Sequence, residues 1–426
     1  MLPYFDLPFD RPESLGERGY VLATYIAFGL AEKDVLKRAG GFATGQTVGT
    51  WLPLPGVTRA MVENHQARVV GCYPIPQYAG DAAGSAAESR GSLLRIAFPI
   101  DNFGGSLAML LVGLVGNDVS TAIRIKLIDL EFVGGALRAF CGPKQGIAGF
   151  RRLTGVKDRP LILNMLKPCL GYSPETGADL FYESGRGGVD LIKDDEVMGN
   201  TTLSGVEGRV KAYLRAAKRV EEETGRSPVY IVNITDRPSR MRENARVALT
   251  CGAQAVMVNF VTTGLDSLAE LACEFGDSLC FLGHYAGVGA LNAPTQGIGS
   301  AVMLGILPRM AGADAVMIMH PSDREGPAYL EYLQTVQAHR LPLTHIKQTC
   351  TTVGGGITPL NVAAICRDLG PDTILGVGGA VQGHPGGAAA GAKAILRAVE
   401  AVVKGIPLQE AASDCPELQK AMEVWS

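Results

Sequence analysis

Eight short apolar runs in the last two thirds of the chain constrain its fold more than any other feature. They are Leu161–Leu166, Val189–Lys193, Val229–Ile234, Ala255–Val258, Leu279–Gly283, Ala315–Met319, Thr349–Val353 and Thr373–Val377. Between them lie segments with helical signals. In one, Ser204 and Glu207 read as an N-terminal capping box. Apolar residues follow at Val206, Val210, Tyr213, Leu214, Ala217 and Val220, and Gly225 stops the helix. Eight strand candidates, each followed by a helix-sized segment, predict a (β/α)8 TIM barrel, whose functional groups belong at the C-terminal ends of its strands.

The preceding residues are mixed. Gly19–Phe28, Gln66–Pro76 and Gly91–Phe98 read as strands and Glu32–Ala39 as a short helix, while periodicity leaves Leu107–Val115 open between strand and helix. The expected architecture is α/β, with an α+β ferredoxin-like amino-terminal domain over residues 1–135 and the barrel over 136–426. A length of 426 residues accommodates both, since a barrel takes about 250.

Charge and cysteine usage narrow the function classes. Lys and Arg total 39 against 42 Asp and Glu, which argues against a nucleic-acid surface or a polybasic membrane anchor. The nine cysteines form no CxxC pair and no metal-ligand ladder. The first fourteen residues hold three acidic residues and three prolines, and the longest apolar run, Leu107–Gly116, has ten residues. The expectation is a cytoplasmic protein with reduced thiols.

Several strand ends carry unusual residues. The second run closes with Lys193-Asp194-Asp195-Glu196. Side chains alternate along a strand, so Lys193 and Asp195 converge, Glu196 joins once the chain turns, and Asp194 faces away. Carboxylate oxygens of this kind suit Mg²⁺. A lysine becomes a ligand only as the carbamate formed with CO₂. The plainer alternative is a solvated acidic turn with a lysine salt bridge. The first run leads to Lys167-Pro168-Cys169, where Lys167 is either a desolvated acid or base or a snorkelling lysine. His284 and His320, two of only six histidines, close the fifth and sixth runs. Gly354-Gly355-Gly356 and Gly376-Val377-Gly378-Gly379 close the seventh and eighth. Barrel phosphate sites are commonly built there from backbone N–H groups, and tight turns without a ligand are the alternative.

Taken in order, Lys167-Pro168, GGVDLIKDDE at 187–196, His284, His320, GGGIT at 354–358 and GVGGAVQGHP at 376–385 resemble the large subunit of RuBisCO. Gly49-Thr50-Trp51 resembles that family's substrate-contacting Gly-Thr-Trp, so the likeness covers nearly the whole chain. The resemblance implies a carbamylated Lys193 binding Mg²⁺ with Asp195 and Glu196, and Lys167 transferring a proton. It implies His284 and His320 against substrate oxygens or phosphate, and Gly355, Gly356, Gly378 and Gly379 on a phosphate. It also implies a homodimer, or an assembly of dimers, with active sites shared between subunits, Thr50 and Trp51 coming from the neighbouring copy.

The departures matter equally. Carboxylating members read Lys-Pro-Lys where this chain has Cys169, and His-Arg where it has His284-Tyr285. Their loop after the sixth strand carries a lysine; here it is short, and Arg324 is its only cation. Their glutamate five residues before Thr-Trp is Gly45. The resemblance therefore implies a RuBisCO-like Mg-dependent lyase, hydrolase or isomerase acting on a small phosphorylated substrate, and not a ribulose-bisphosphate carboxylase. The expected reaction is decarboxylation, or transcarboxylation and hydrolysis, of 3-oxo-isoapionate 4-phosphate in apiose breakdown. The lean follows because methionine-salvage members keep Lys-Pro-Lys and the longer loop. The alternative is a methionine-salvage enolase or isomerase acting on a methylthio-pentulose phosphate. A non-catalytic regulatory or binding protein is the alternative of another class, against which the intact KDDE segment speaks.

Overall fold

The computed structural model describes residues 8–16, 18–30, 32–49, 54–75, 91–121, 123–321 and 327–426. It divides into two compact units: the described residues of Met1–Phe140 with Gly287–Leu307, and Cys141–Ala286 with Pro308–Ser426.

The first unit is built on strands β1 (Tyr20–Phe28), β2 (Arg68–Pro74), β3 (Gly91–Pro99) and β4 (Ile125–Val133). The second is built on β5 (Leu161–Met165), β6 (Leu191–Lys193), β7 (Val229–Asn233), β8 (Ala255–Val258) and β9 (Cys280–Gly283). The two-residue strand β10 (Gly297–Ile298) returns to the first unit, and the second is completed by β11 (Ala315–Met319), β12 (Cys350–Gly354) and β13 (Thr373–Val377).

In the first unit the sheet order is β10-β4-β1-β3-β2. The central strand β1 is antiparallel to β3 and β4, and β10 lies parallel to the edge of β4. Leu107–Val115, which periodicity left open, is a helix. Ser106 caps it by accepting from the Met109 N–H at 3.2 Å, and Leu107, Leu110 and Leu114 are buried at helical spacing.

In the second unit the eight predicted runs are the eight strands of a closed parallel barrel, β13 pairing back onto β5. Its lumen is packed by Leu161, Leu163, Leu191, Ile231, Met257, Leu282, Met317 and Ile374 among others. One side-chain layer further along each strand, the same inward face holds Met165, Lys193, Asn233, Asn259, His284, Met319, Gly354 and Gly376. Strand period thus sets the floor of the barrel mouth, polar from β6 through β9 and apolar or glycine from β11 through β13 and on to β5. No helix among the described residues is long and apolar enough to cross a membrane.

The capping box predicted at Ser204 and Glu207 is not formed. The helix spans Val206–Thr224 with Gly205 as its N-cap, and the Ser204 hydroxyl has no hydrogen-bond partner among the described residues. Asn200 Oδ1 instead accepts from the Val206 N–H at 3.0 Å, and Glu207 turns outward to pair with Lys211. The expected stop holds: Gly225 ends the helix at φ +73°, a left-handed conformation that costs glycine little.

Candidate active site

The end of β6 gathers the densest charge in the barrel. Lys193 is fully buried; its Nζ donates to the Asp194 backbone oxygen at 2.9 Å and lies 3.5 Å from Glu196 Oε2. Burial pushes the Lys193 ammonium below its ordinary range, against the pull of Glu196, Asp195 and Asp194, and the nearby charge of Lys167 adds to the drop. Asp195 is buried and takes a 2.5 Å ion pair from Lys167 Nζ. Burial opposes its charge, but the Lys167 hydrogen bond, the charges of Lys167 and Lys193 and the Val197 N–H together outweigh burial and hold the carboxyl below the usual range. Glu196 reaches back over Lys193 and stands 3.6 Å from His284 Nε2. Asp194 faces the other way. It binds Arg209, the Tyr230 hydroxyl and the Asn233 N–H.

Lys167 rises from the loop after β5 and also donates to Cys169 Sγ at 3.1 Å. Burial works against its charge, yet the hydrogen bonds to Asp195 and Cys169 prevail, so the ammonium is held above its ordinary range. Gly378 borders it: a Cβ there would press on Met165 Cε at 3.2 Å and meet Lys167 Cε at an ordinary contact distance of 3.8 Å.

His284 is buried and stacked on Tyr285, with ring centroids 4.8 Å apart and planes 15° from parallel. Its Nδ1 accepts from the Ala286 N–H at 3.2 Å, which leaves the ring proton on Nε2, toward Glu196. Burial, with the charges of Lys193 and Lys167, pushes the imidazole down to about 3 against the pull of Asp195, so it is neutral at physiological pH. His320 is half-buried, edge-on to Tyr332 at 5.7 Å, and its backbone N–H donates to the Gly354 oxygen. No hydrogen bond or ion pair among the described residues joins its ring to the Lys193 cluster.

The glycine loops divide by role. A Cβ on Gly354 would overlap Met317 Cε, so that glycine serves packing. Gly355 and Gly356 adopt φ of +84° and +66°, and a Cβ on Gly356 or Gly379 would meet nothing within 4 Å. Asn361 pins the first loop by donating to the Gly356 oxygen at 2.9 Å. Thr50, Trp51 and Arg324 lie outside the described residues.

Two residues escaped the sequence reading although their signal matched that of the histidines. Asn233 closes β7 and Asn259 directly follows β8, and both donate to the Glu196 backbone oxygen, at 3.0 and 2.9 Å.

The donor set fits a hard divalent cation on one condition. Among the described residues no three His, Cys, Asp or Glu side chains gather as a metal-binding group. Asp195 and Glu196 could offer two anionic oxygens, and Lys193 could add a third only as its carbamate.

Residues 146–425 match the family model described as ribulose bisphosphate carboxylase large chain, catalytic domain. A "Ribulose bisphosphate carboxylase-like protein" of Archaeoglobus fulgidus is 38% identical over 406 residues, covering 94% of this chain and 92% of its own length. A 2,3-diketo-5-methylthiopentyl-1-phosphate enolase of Bacillus velezensis is 34% identical over 95% of this chain and 98% of its own. The crystal structure of a rubisco-like protein from Alicyclobacillus acidocaldarius superposes with a TM-score of 0.87 at 35% identity, covering 96% of this chain and all of that one.

Proposed function

Because the chain belongs to the RuBisCO large-chain family, as one of its RuBisCO-like enzymes, we propose that it enolises a phosphorylated diketone of the 2,3-diketo-5-methylthiopentyl-1-phosphate class. The observation that carries this reading is the convergence of Lys193, Asp195 and Glu196 at the end of β6, with Lys167 2.5 Å from Asp195. The expectation drawn from Cys169 and the short loop favoured 3-oxo-isoapionate 4-phosphate. Curated relatives named 2,3-diketo-5-methylthiopentyl-1-phosphate enolase match at 31–34% identity over 95% of this chain, and they favour the alternative. The missing cations bear on CO₂ addition, whereas enolisation needs only a proton moved beside a polarised carbonyl.

Carbamylated Lys193, Asp195 and Glu196 would hold Mg²⁺, which when bound supplies Lewis-acid polarisation of a substrate carbonyl. Lys167 is the proton carrier. Its ammonium is sustained by Asp195 and Cys169, so drawing the Asp195 carboxylate into cation binding would remove much of that support and free Nζ to take or return a carbon-bound proton. Neutral His284 offers its Nε2–H to a substrate oxygen. The loops at Gly355, Gly356, Gly378 and Gly379 present backbone N–H groups to the single phosphate. Tyr285 stands where carboxylating members have an arginine, so the far end of the substrate carries no second phosphate. His320 and Arg324 are proposed as further substrate contacts, and Thr50 and Trp51 as contacts contributed by the neighbouring copy in a dimer.

The test is deuterium incorporation from D₂O into the diketone phosphate by purified protein supplied with Mg²⁺ and bicarbonate. Exchange that requires both additives, and is absent in Lys167→Ala, supports the reading. Lack of exchange, together with CO₂ release from a β-keto sugar-acid phosphate, returns the decision to the branched keto acid.

A further inference from the structure

Strand β6 is bracketed by two buried arginine–aspartate pairs that look alike in isolation. At its start, Arg159 grips Asp190 with two bonds of 2.6 and 2.8 Å. At its end, Arg209 binds Asp194 at 3.1 Å, and neither side chain is exposed. A buried ion pair is weak ground for stability, because apolar replacements of similar volume often serve as well. What distinguishes the second pair is the rest of its bonding. Arg209 Nη1 donates to the Gly199 oxygen at 2.9 Å and to the Ser204 oxygen, and Nη2 to the Asn233 oxygen at 3.3 Å. One guanidinium thus ties the end of β6, the loop that follows it and the end of β7.

Asn233 completes the frame. Its N–H donates to Asp194 Oδ2 at 2.9 Å, and its Nδ2 to the backbone oxygens of Asp195 and Glu196 at 3.4 and 3.0 Å. Tyr230 adds a 2.7 Å bond to Asp194. The backbone carrying Asp195 and Glu196 is therefore clamped through the side chain before it and through its own carbonyls. Both carboxylates are left pointing toward Lys193 and Lys167.

We propose that Arg209 is a positioning residue, which through Asp194 and Asn233 sets the splay of Asp195 and Glu196 and so the affinity of the site for a divalent cation. The inference rests on the cation reading of the proposed function. A lysine at this position keeps the charge but offers a point donor, which cannot span the Asp194 carboxylate and the carbonyls of Gly199, Ser204 and Asn233.

The experiment titrates Mn²⁺, with bicarbonate present, into full-length protein and follows the free-ion EPR signal alongside thermal unfolding. The variants are Arg209→Lys, Tyr230→Phe and, as a control at the other end of the strand, Arg159→Lys. Outer-sphere support is typically worth about 10- to 100-fold in metal affinity, so Arg209→Lys should weaken Mn²⁺ binding by about tenfold or more. Tyr230→Phe keeps the ring packing against Tyr213 and Phe181, loses the hydroxyl's contacts with Asp194 and Arg209, and should weaken binding by a smaller factor. Arg159→Lys should lower the unfolding temperature and leave Mn²⁺ affinity unchanged. If Arg209→Lys does not fold, Tyr230→Phe decides. Folded variants at 209 and 230 that bind Mn²⁺ like the wild type overturn the inference, as does equal weakening in Arg159→Lys. A wild-type chain that takes up no Mn²⁺ defeats the proposed function and this inference together.

Discussion

The two halves of the barrel mouth solve different problems. From β6 to β9 the inward layer is Lys193, Asn233, Asn259 and His284, and each of these side chains approaches Glu196, through its carboxylate or its backbone oxygen. From β11 through β13 to β5 it is Met319, Gly354, Gly376 and Met165, with open space beyond Gly356 and Gly379. The polar half is over-determined and holds its groups in one arrangement, as proton transfer requires. The glycine half offers backbone and room, as an anion requires. On the proposed function, reactivity and binding fall to opposite arcs of one ring of strands.

Substitutions on each arc test this division. The largest effect is expected from Lys193→Met, which fills the buried volume but can form no carbamate. Mg²⁺-dependent proton exchange should disappear while the cooperative unfolding transition persists; retained exchange would remove Lys193 from the chemistry. Next, Gly379→Asp places a carboxylate in open space beside the proposed phosphate, so packing should tolerate it. KM should rise by about 10- to 100-fold with kcat little changed, since like charges at contact distance oppose one another by a few kcal/mol at most. An unaltered KM would move the phosphate elsewhere.

The third effect concerns pH. His284 is held to about 3 in the fold, below the ordinary imidazole value near 6.5. The unfolded chain therefore binds the extra proton first. The stability this contributes is whole above about pH 6.5 and shrinks as pH falls toward the folded value. Between pH 6.5 and 5, wild type should lose up to about 2 kcal/mol relative to His284→Asn, read as denaturation midpoints in metal-free buffer. Parallel pH profiles would mean that His284 is protonated in the folded protein.

The smallest effect expected is none. Cys169→Lys restores the lysine of carboxylating members, yet should fix no labelled CO₂ onto ribulose 1,5-bisphosphate. Tyr285 remains, and the segment Ser322–Gly326 still lacks a lysine. Labelled phosphoglycerate from this variant would show that Cys169 alone separates the chain from carboxylation.

Much of the barrel was legible because parallel strands covered on both faces must be nearly continuous apolar runs, and these survive as a local signal. Four charged residues closing such a run stand out for the same reason. Local signals mislead where two are adjacent. Ser204 and Glu207 satisfy a capping pattern, but Asn200 sits close enough to Val206 to cap one residue later. At Leu107–Val115 the apolar residues alone fit either structure, and the cap at Ser106 with burial at Leu107, Leu110 and Leu114 settles on a helix. The Gly287–Leu307 segment lies between two barrel strands in the sequence yet groups with the first unit, and the strand it adds there is two residues long. A signal that short does not rise above ordinary loop composition.

The sequence by itself determined the period of the strands, the residues that end them and therefore the chemical kinds available at the mouth. Only the tertiary structure decided which of those groups meet. Lys167 reaches Asp195 across 28 positions, Asn259 reaches Glu196 across 63, and Arg209 lies under Asp194 from the helix that follows β6. Barrel closure sets these distances, because neighbouring strands bring their ends together whatever the length of chain between them. A hydrogen bond depends on that final separation in space, which no local pattern in the sequence encodes.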